Sequence, residues 1–157
     1  MFPMNIKKYI SEWTIKFLKN KDILQKNIVS IENSSEGSDR FKVNYKDKVM
    51  TCISSESIGN FPFLPSFGKD EFIWITTINS KENFESLVKN WEIISNYKNS
   101  AICFINPFSA LDAKWIVKPY THNLISDNSS LKLGLKAMYD TVEETTIEDF
   151  KLRASLS

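Results

Sequence analysis

His122 is the single histidine of the chain, and imidazole is the side chain whose charge changes nearest neutral pH. It stands in Pro119-Tyr120-Thr121-His122-Asn123, just past a strand-like segment from Lys114 to Lys118, where connecting segments present functional groups. Asp127 follows five residues on, and Asp112 with Lys114 lies at the other end of the same segment. Such a set points to general acid–base chemistry, which needs a nucleophile or a metal-bound water beside the imidazole. Ser126, Thr121 and Tyr120 are near in sequence, yet no G-x-S-x-G string supports any of them. One histidine with scattered carboxylates has no metal-ligand spacing either. A structural reading outweighs catalysis: His122 bonds a loop carbonyl and Asp127 caps the following helix.

A second chemistry is stacking beside positive charge. Trp115 and Tyr120 flank the end of the same segment, with Lys114 and Lys118 next to them. Aromatic rings interleaved with cations hold single-stranded nucleic acid without sequence preference. Against this, Trp115 and Val117 alternate as core residues do, and nucleic acid is not the favoured partner because the chain carries almost no net charge. The third chemistry is apolar contact. Ile15, Leu133 and the loop residues Phe61, Phe63 and Phe67 are more apolar than a lone surface needs. They favour a protein partner or self-association.

The elements that must place these side chains read as follows. Ile6, Ile10, Trp13 and Phe17 recur at spacings of four, three and four, which puts one apolar stripe on a helix over residues 5–20 and leaves Ile15 on the far side. Residues 28–31, 41–45 and 49–53 read as an antiparallel meander, with turn formers from Asn33 to Asp39 and Lys46 to Lys48 between the strands. Residues 54–70 form a long loop whose phenylalanines either cover the sheet or act as a lid. Phe72 to Ile78 is apolar on both faces, as a central strand is. Ser80 caps a helix with Phe84, Leu87, Val88, Trp91 and Ile94 on its buried stripe, and Ala101 to Ile105 returns as a parallel strand, completing a βαβ unit. A last strand ends at Pro119. A third helix begins near Asp127 with Leu131, Leu135, Met138 and Val142 on one face; Thr146 caps a short final helix, and the tail from Arg153 is expected to fray.

Composition bounds the function. The 157 residues are 42% apolar and 25% charged, enough for one domain with a real core and too apolar for a disordered chain. Formal charge is +1, so no global field draws the protein to nucleic acid or to a membrane surface. The charge is uneven, however: residues 1–26 hold six basic and two acidic groups, and residues 140–157 hold two basic and five acidic. Arginine, whose fork suits phosphate and guanine, occurs only at positions 40 and 153, which weakens the case for sequence-specific reading of DNA or RNA. Neither a G-x-x-x-x-G-K-[ST] nor a G-x-G-x-x-G string occurs, which argues against the usual ATP, GTP and dinucleotide modes. Cys52 and Cys103 sit in strand-like runs without a C-x-x-C pair, and the polar segment after Met1-Phe2-Pro3-Met4 has no signal-peptide core; reduced thiols in a cytoplasmic protein are expected. No run is long enough to cross a bilayer.

The order helix, three-strand meander, buried strand, helix and strand, from the first helix to Ile105, resembles the core of the restriction-endonuclease-like fold. The resemblance is one of element order alone. It implies a divalent metal held by an Asp and a D/E-x-K set on adjacent strands, with the lysine aiding the attacking water. Neither Val49 to Ile53 nor Phe72 to Ile78 has an acidic residue, and D-x-K occurs only as Asp112-Ala113-Lys114 and Asp149-Phe150-Lys151. A nuclease site on this fold would be degenerate.

The sequence therefore reads as a single α+β domain with a mixed sheet, an antiparallel meander joined to one βαβ unit, flanked by helices. Its expected role is a non-catalytic binding or oligomerising domain without cofactor, using Ile15, Phe61, Phe63, Phe67, Trp115 and Tyr120. The alternative is a phosphodiester hydrolase with Asp112, Lys114 and His122 in the site and Mg²⁺ or Mn²⁺ bound.

Overall fold

Asn5 starts the first helix, α1 (Ile6–Lys21), by accepting the Lys8 N–H on its side chain at 3.1 Å. The computed structural model describes residues 5–33 and 40–156, so the turn formers after Asn33 and the first four residues lie outside the described residues. Three strands follow α1: β1 (Ile28–Asn33), β2 (Arg40–Tyr45) and β3 (Val49–Ser54), each antiparallel to the next. The loop after β3 contains one 3-10 turn (Leu64–Ser66) and leads to β4 (Phe72–Ile78), which lies parallel to β3. Helices α2 (Lys81–Lys89) and α3 (Trp91–Ile94) then cross to β5 (Ser100–Ile105), parallel to β4. Strand β6 (Lys114–Val117) turns back antiparallel on β5. Helices α4 (Pro119–Ile125), α5 (Asn128–Tyr139) and α6 (Ile147–Leu156) complete the chain.

The sheet order is β1-β2-β3-β4-β5-β6, the order of the sequence. The mixed α+β architecture is the one expected, with one parallel step more: β3 also runs parallel to β4. Side chains alternate across a strand, so β4 and β5 serve two cores. Ile73, Ile75, Ile102 and Phe104 meet the loop residues Ile58, Phe61 and Leu64, the α2–α3 residues Leu87 and Trp91, and Leu135 and Tyr139 near the end of the chain. Trp74, Ile78, Cys103 and Ile105 meet Ile6, Ile10 and Leu18 of α1 and Phe150 and Ala154 of α6. Three layers result, helices and loop on one face and α1 with α6 on the other.

Several local expectations shift. The α1 stripe is Ile6, Ile10, Thr14 and Leu18, with Trp13, Ile15 and Phe17 only half-buried. Thr14 takes the central place because its hydroxyl meets the Thr76 hydroxyl at 2.8 Å, and Trp74 Nε1 donates to that same Thr76 oxygen at 2.9 Å. A buried polar triad of this kind turns the helix by about one residue from its most apolar orientation, at no cost in unpaired groups. The second helix breaks at Asn90, whose amide donates to the Ser86 carbonyl and competes with the helix ladder. The final helix continues to Leu156 and buries Ala154, beyond the point at which fraying was expected.

The 55–71 connection covers the sheet. Phe61 and Leu64 are fully buried, and Phe63 and Phe67 pack against the same core from half-buried positions. Phe61 holds a left-handed backbone, φ 54°, which a bulky residue adopts only when its surroundings fix it.

Candidate functional site

The carboxyl ends of parallel strands are where open α/β sheets take their ligands. Here the chain itself fills them. Asn79, directly after β4, is fully buried; its amide reaches the Val142 carbonyl at 3.0 Å and those of Tyr139 and Glu143 at 3.4 Å, and its Oδ1 accepts Trp115 Nε1 at 2.8 Å. Asn106, directly after β5, donates to the Glu143 carbonyl at 3.0 Å. Asn83, on α2, reaches Thr77 Oγ1, the Ile78 carbonyl and the Glu56 carbonyl with its amide, and accepts the Ile58 N–H. Three asparagines thus tie the segments around residues 56–58 and 139–145 across the strand ends.

The residues singled out in the sequence are dispersed around this frame. Asp112 is exposed and bridges to Val142 before β6 begins. Lys114 starts β6 and its ammonium lies 5.1 Å from the centre of the Phe17 ring, on the α1 face. His122 is past the other end of β6, on the opposite face, with its ring edge-on to Trp91 at 6.5 Å. Strand β6 is four residues long from Lys114 to Val117, a span of about 10 Å at the usual rise, so Asp112 and Lys114 share one end and His122 the other. His122 belongs to helix α4, a helix the sequence presents as a loop. Pro119 does not merely stop β6; it occupies the first turn of that helix, where its missing N–H costs nothing. Asp127 caps α5 as expected, accepting the Ser130 N–H at 2.9 Å, and hydrogen bonds from Ser129 and Ser130 hold its carboxyl below the ordinary range.

Of the binding residues, Phe61 and Trp115 are core: Trp115 is buried, stacked on Phe104 with ring centres 4.4 Å apart and planes 6° apart. Ile15, Phe63, Phe67 and Tyr120 are half-buried, and the Arg40 guanidinium covers Phe67 at 5.2 Å. Among the described residues no three His, Cys, Asp or Glu side chains gather as a metal-holding group, and no helix is long and apolar enough to cross a membrane.

The opposite edge of the parallel strands is open. A cleft of about 390 Å³ lies at the amino ends of β4 and β5, walled by the end of α1, the β2–β3 turn and the start of α4. Lys21, Lys48, Lys98 and Lys118 line it, one from each of four segments, together with the half-buried rings of Tyr45 and Phe72. Lys48 places its ammonium 4.8 Å from the Phe72 ring centre and 5.2 Å from that of Tyr45. Two aspartates also line the cleft, Asp22 and Asp47. Asp22 spends its carboxylate on the backbone, accepting the N–H of Asn27 at 2.9 Å and of Ile28 at 2.8 Å.

No family model, curated protein or solved structure matches this chain. The site is thus read from its own geometry. Sequence reasoning did not find the asparagine closure or the lysine cleft. A signal for the first was present, since Ile78-Asn79 and Ile105-Asn106 both end an apolar strand in asparagine. The cleft had none, because each lysine is one of many in the chain.

The thiols give a pH prediction. Cys52 and Cys103 are buried and free, on strands either side of β4, a separation of roughly 9–10 Å that no disulfide spans. Burial pushes the Cys103 thiol up to about 12 and that of Cys52 higher still. Tyr45 is pushed up to about 12, by burial first and then by Cys52 and Asp22. All three keep protons that the unfolded chain releases near pH 8.5 for thiols and about 10 for tyrosine. Their contribution is therefore complete below about pH 8 and is lost as pH rises toward 12. Thermal melts from pH 8 to 11 should show a falling Tm, with a shallower fall in Cys103→Ala; a flat profile would contradict the assignment.

Proposed function

We propose that the protein is a binding module that associates with a second copy of itself through the α1–α6 face. The observation that carries this reading is an apolar stripe on α6, Leu152 (59% exposed) and Leu156 (78%), turned away from the buried pair Phe150 and Ala154. These residues are four apart in each case, so one helix presents two apolar sides. Next to it on the same face lies α1, where Ile15 lines a shallow hollow with Glu12, Lys16 and Lys19. Tyr9 meets Phe150 edge-on at 5.6 Å and holds the two helices together.

Charge supports a second copy as the occupant. The exposed side of α1 carries Lys8, Lys16, Lys19 and Lys21 against Glu12. Residues 140–149 carry five acidic groups and no basic one. A two-fold axis sets each α6 on the partner's α1, so that Leu152 and Leu156 meet Ile15 while acidic and basic groups face each other, every contact being made twice. Size-exclusion chromatography with light scattering tests it. The wild-type chain should run as a dimer that dissociates on dilution, and Leu152→Glu with Leu156→Glu should give a monomer of unchanged circular dichroism. A wild-type monomer at all concentrations overturns the reading.

A further inference from the structure

We propose that the cleft at the amino ends of β4 and β5 is a binding site for a small phosphorylated ligand bearing at least two negative charges. Its four lysines arrive from the end of α1, the β2–β3 turn, the segment before β5 and the segment before α4. Nothing about those segments but their meeting place is shared. Against four ammonium groups stand Asp22 and Asp47, so the wall carries an excess of two positive charges. The Asp22 carboxylate is already engaged by two backbone N–H groups, and Lys98 is only loosely held, 3.9 Å from Asp70 with both side chains well exposed. Lys48 is fixed by the two rings it covers and aims its charge at one place rather than sweeping through solvent. Tyr45, Asn27 and Thr121 add neutral donors around the same hollow.

The donor set also says how the ligand is chosen. No arginine and no glycine lines the cleft, so neither a guanidinium fork nor a backbone nest is there to read phosphate shape. Lysine acts as a point charge. Selection is then by number of charges within reach, and affinity falls with added salt. The cleft, with a volume near 390 Å³, is of the size that holds a small molecule.

The test is a calorimetric titration of the full chain with pyrophosphate and with inorganic phosphate at low ionic strength. Pyrophosphate should bind one to one and more tightly than phosphate. Lys48→Gln and Lys118→Gln should each weaken it by about tenfold, the loss expected for one close ion pair in partly screened surroundings. Lys132→Gln, on the exposed side of α5, should leave it unchanged. Absence of pyrophosphate binding overturns the proposal, as does equal weakening by Lys132→Gln, which would mean diffuse attraction to lysines. A single-stranded oligonucleotide serves as the second arm: if it binds at Lys48 and pyrophosphate cannot displace it, the ligand is a nucleic acid backbone and the proposal fails.

Discussion

Asn79→Ala is expected to lower the free energy of unfolding by roughly 3–5 kcal/mol, the scale of losing a buried hydrogen-bond hub. The side chain is fully buried and bonds two separate segments at once. Its amide holds the Val142 carbonyl at 3.0 Å, and its oxygen takes the Trp115 indole N–H at 2.8 Å. Alanine removes both bonds, each worth about 1 kcal/mol net, and leaves the Trp115 indole N–H and the Val142 carbonyl without these partners, at about 1–3 kcal/mol more. Urea unfolding measures the loss. The mechanism has its own signature in a double-mutant cycle: Trp115→Phe keeps the ring on Phe104 but deletes the donor, so Asn79→Ala with Trp115→Phe should cost less than the two changes added. Strict additivity, or a loss below about 1 kcal/mol for Asn79→Ala, would mean that the 139–145 segment is held by other contacts.

Phe150→Ala is the second large effect, roughly 3–5 kcal/mol for an aromatic side chain removed from a closed core. Phe150 has no exposed surface and packs edge-on against Tyr9 and Phe108, with ring centres 5.6 and 5.7 Å away. It is the anchor by which α6 lies on the sheet, with Ala154 one turn further on. The variant should lose global stability and also free α6 locally, so that trypsin cuts after Lys151 and Arg153 faster than in the wild type under native conditions. Because Leu152 and Leu156 lie on this helix, the proposed self-association should fall with it. A variant as stable as wild type would show that the cavity closes without cost and that α6 is held by its other contacts.

How much of this could be read beforehand depended on the range of the forces involved. Strands β2, β4 and β5 announced themselves because their burial follows a period of two, or is complete on both faces, within a few residues. The capping residues Ser80 and Asp127 were legible for the same reason, each serving an N–H three residues away. The α1 stripe was displaced by Thr14, whose partner Thr76 is sixty-two residues distant; local periodicity favoured Trp13 and Phe17, and only the tertiary pairing of hydroxyls reverses that choice. Helix α4 was hidden by Pro119, since proline after a strand signals a stop as readily as a helix start. The candidate site was the least legible part. Asp112, Lys114 and His122 looked close because one short strand joins them, yet a strand separates its ends and alternates its faces. Lys21, Lys48, Lys98 and Lys118 looked unrelated, and the parallel pairing of β3, β4 and β5 is what gathers the segments that carry them.

That every strand pairs with its predecessor has a consequence for how the protein is made. No strand has to be threaded between two that are already joined, and each new ladder closes only the connection just synthesised, which keeps loop-closure entropy small. The sheet can therefore be laid down vectorially, one strand at a time, as the chain leaves the ribosome. The exception is the end of the chain. Val142 belongs to the core on one face and Phe150 to the core on the other, so the last segment passes round the strand ends and fastens both layers. Until residues 139–154 follow, the nascent sheet stands with its α1 layer incomplete, and the asparagines after β4 and β5 wait for their carbonyls; assembly of the sheet is progressive, but its locking waits for that one segment.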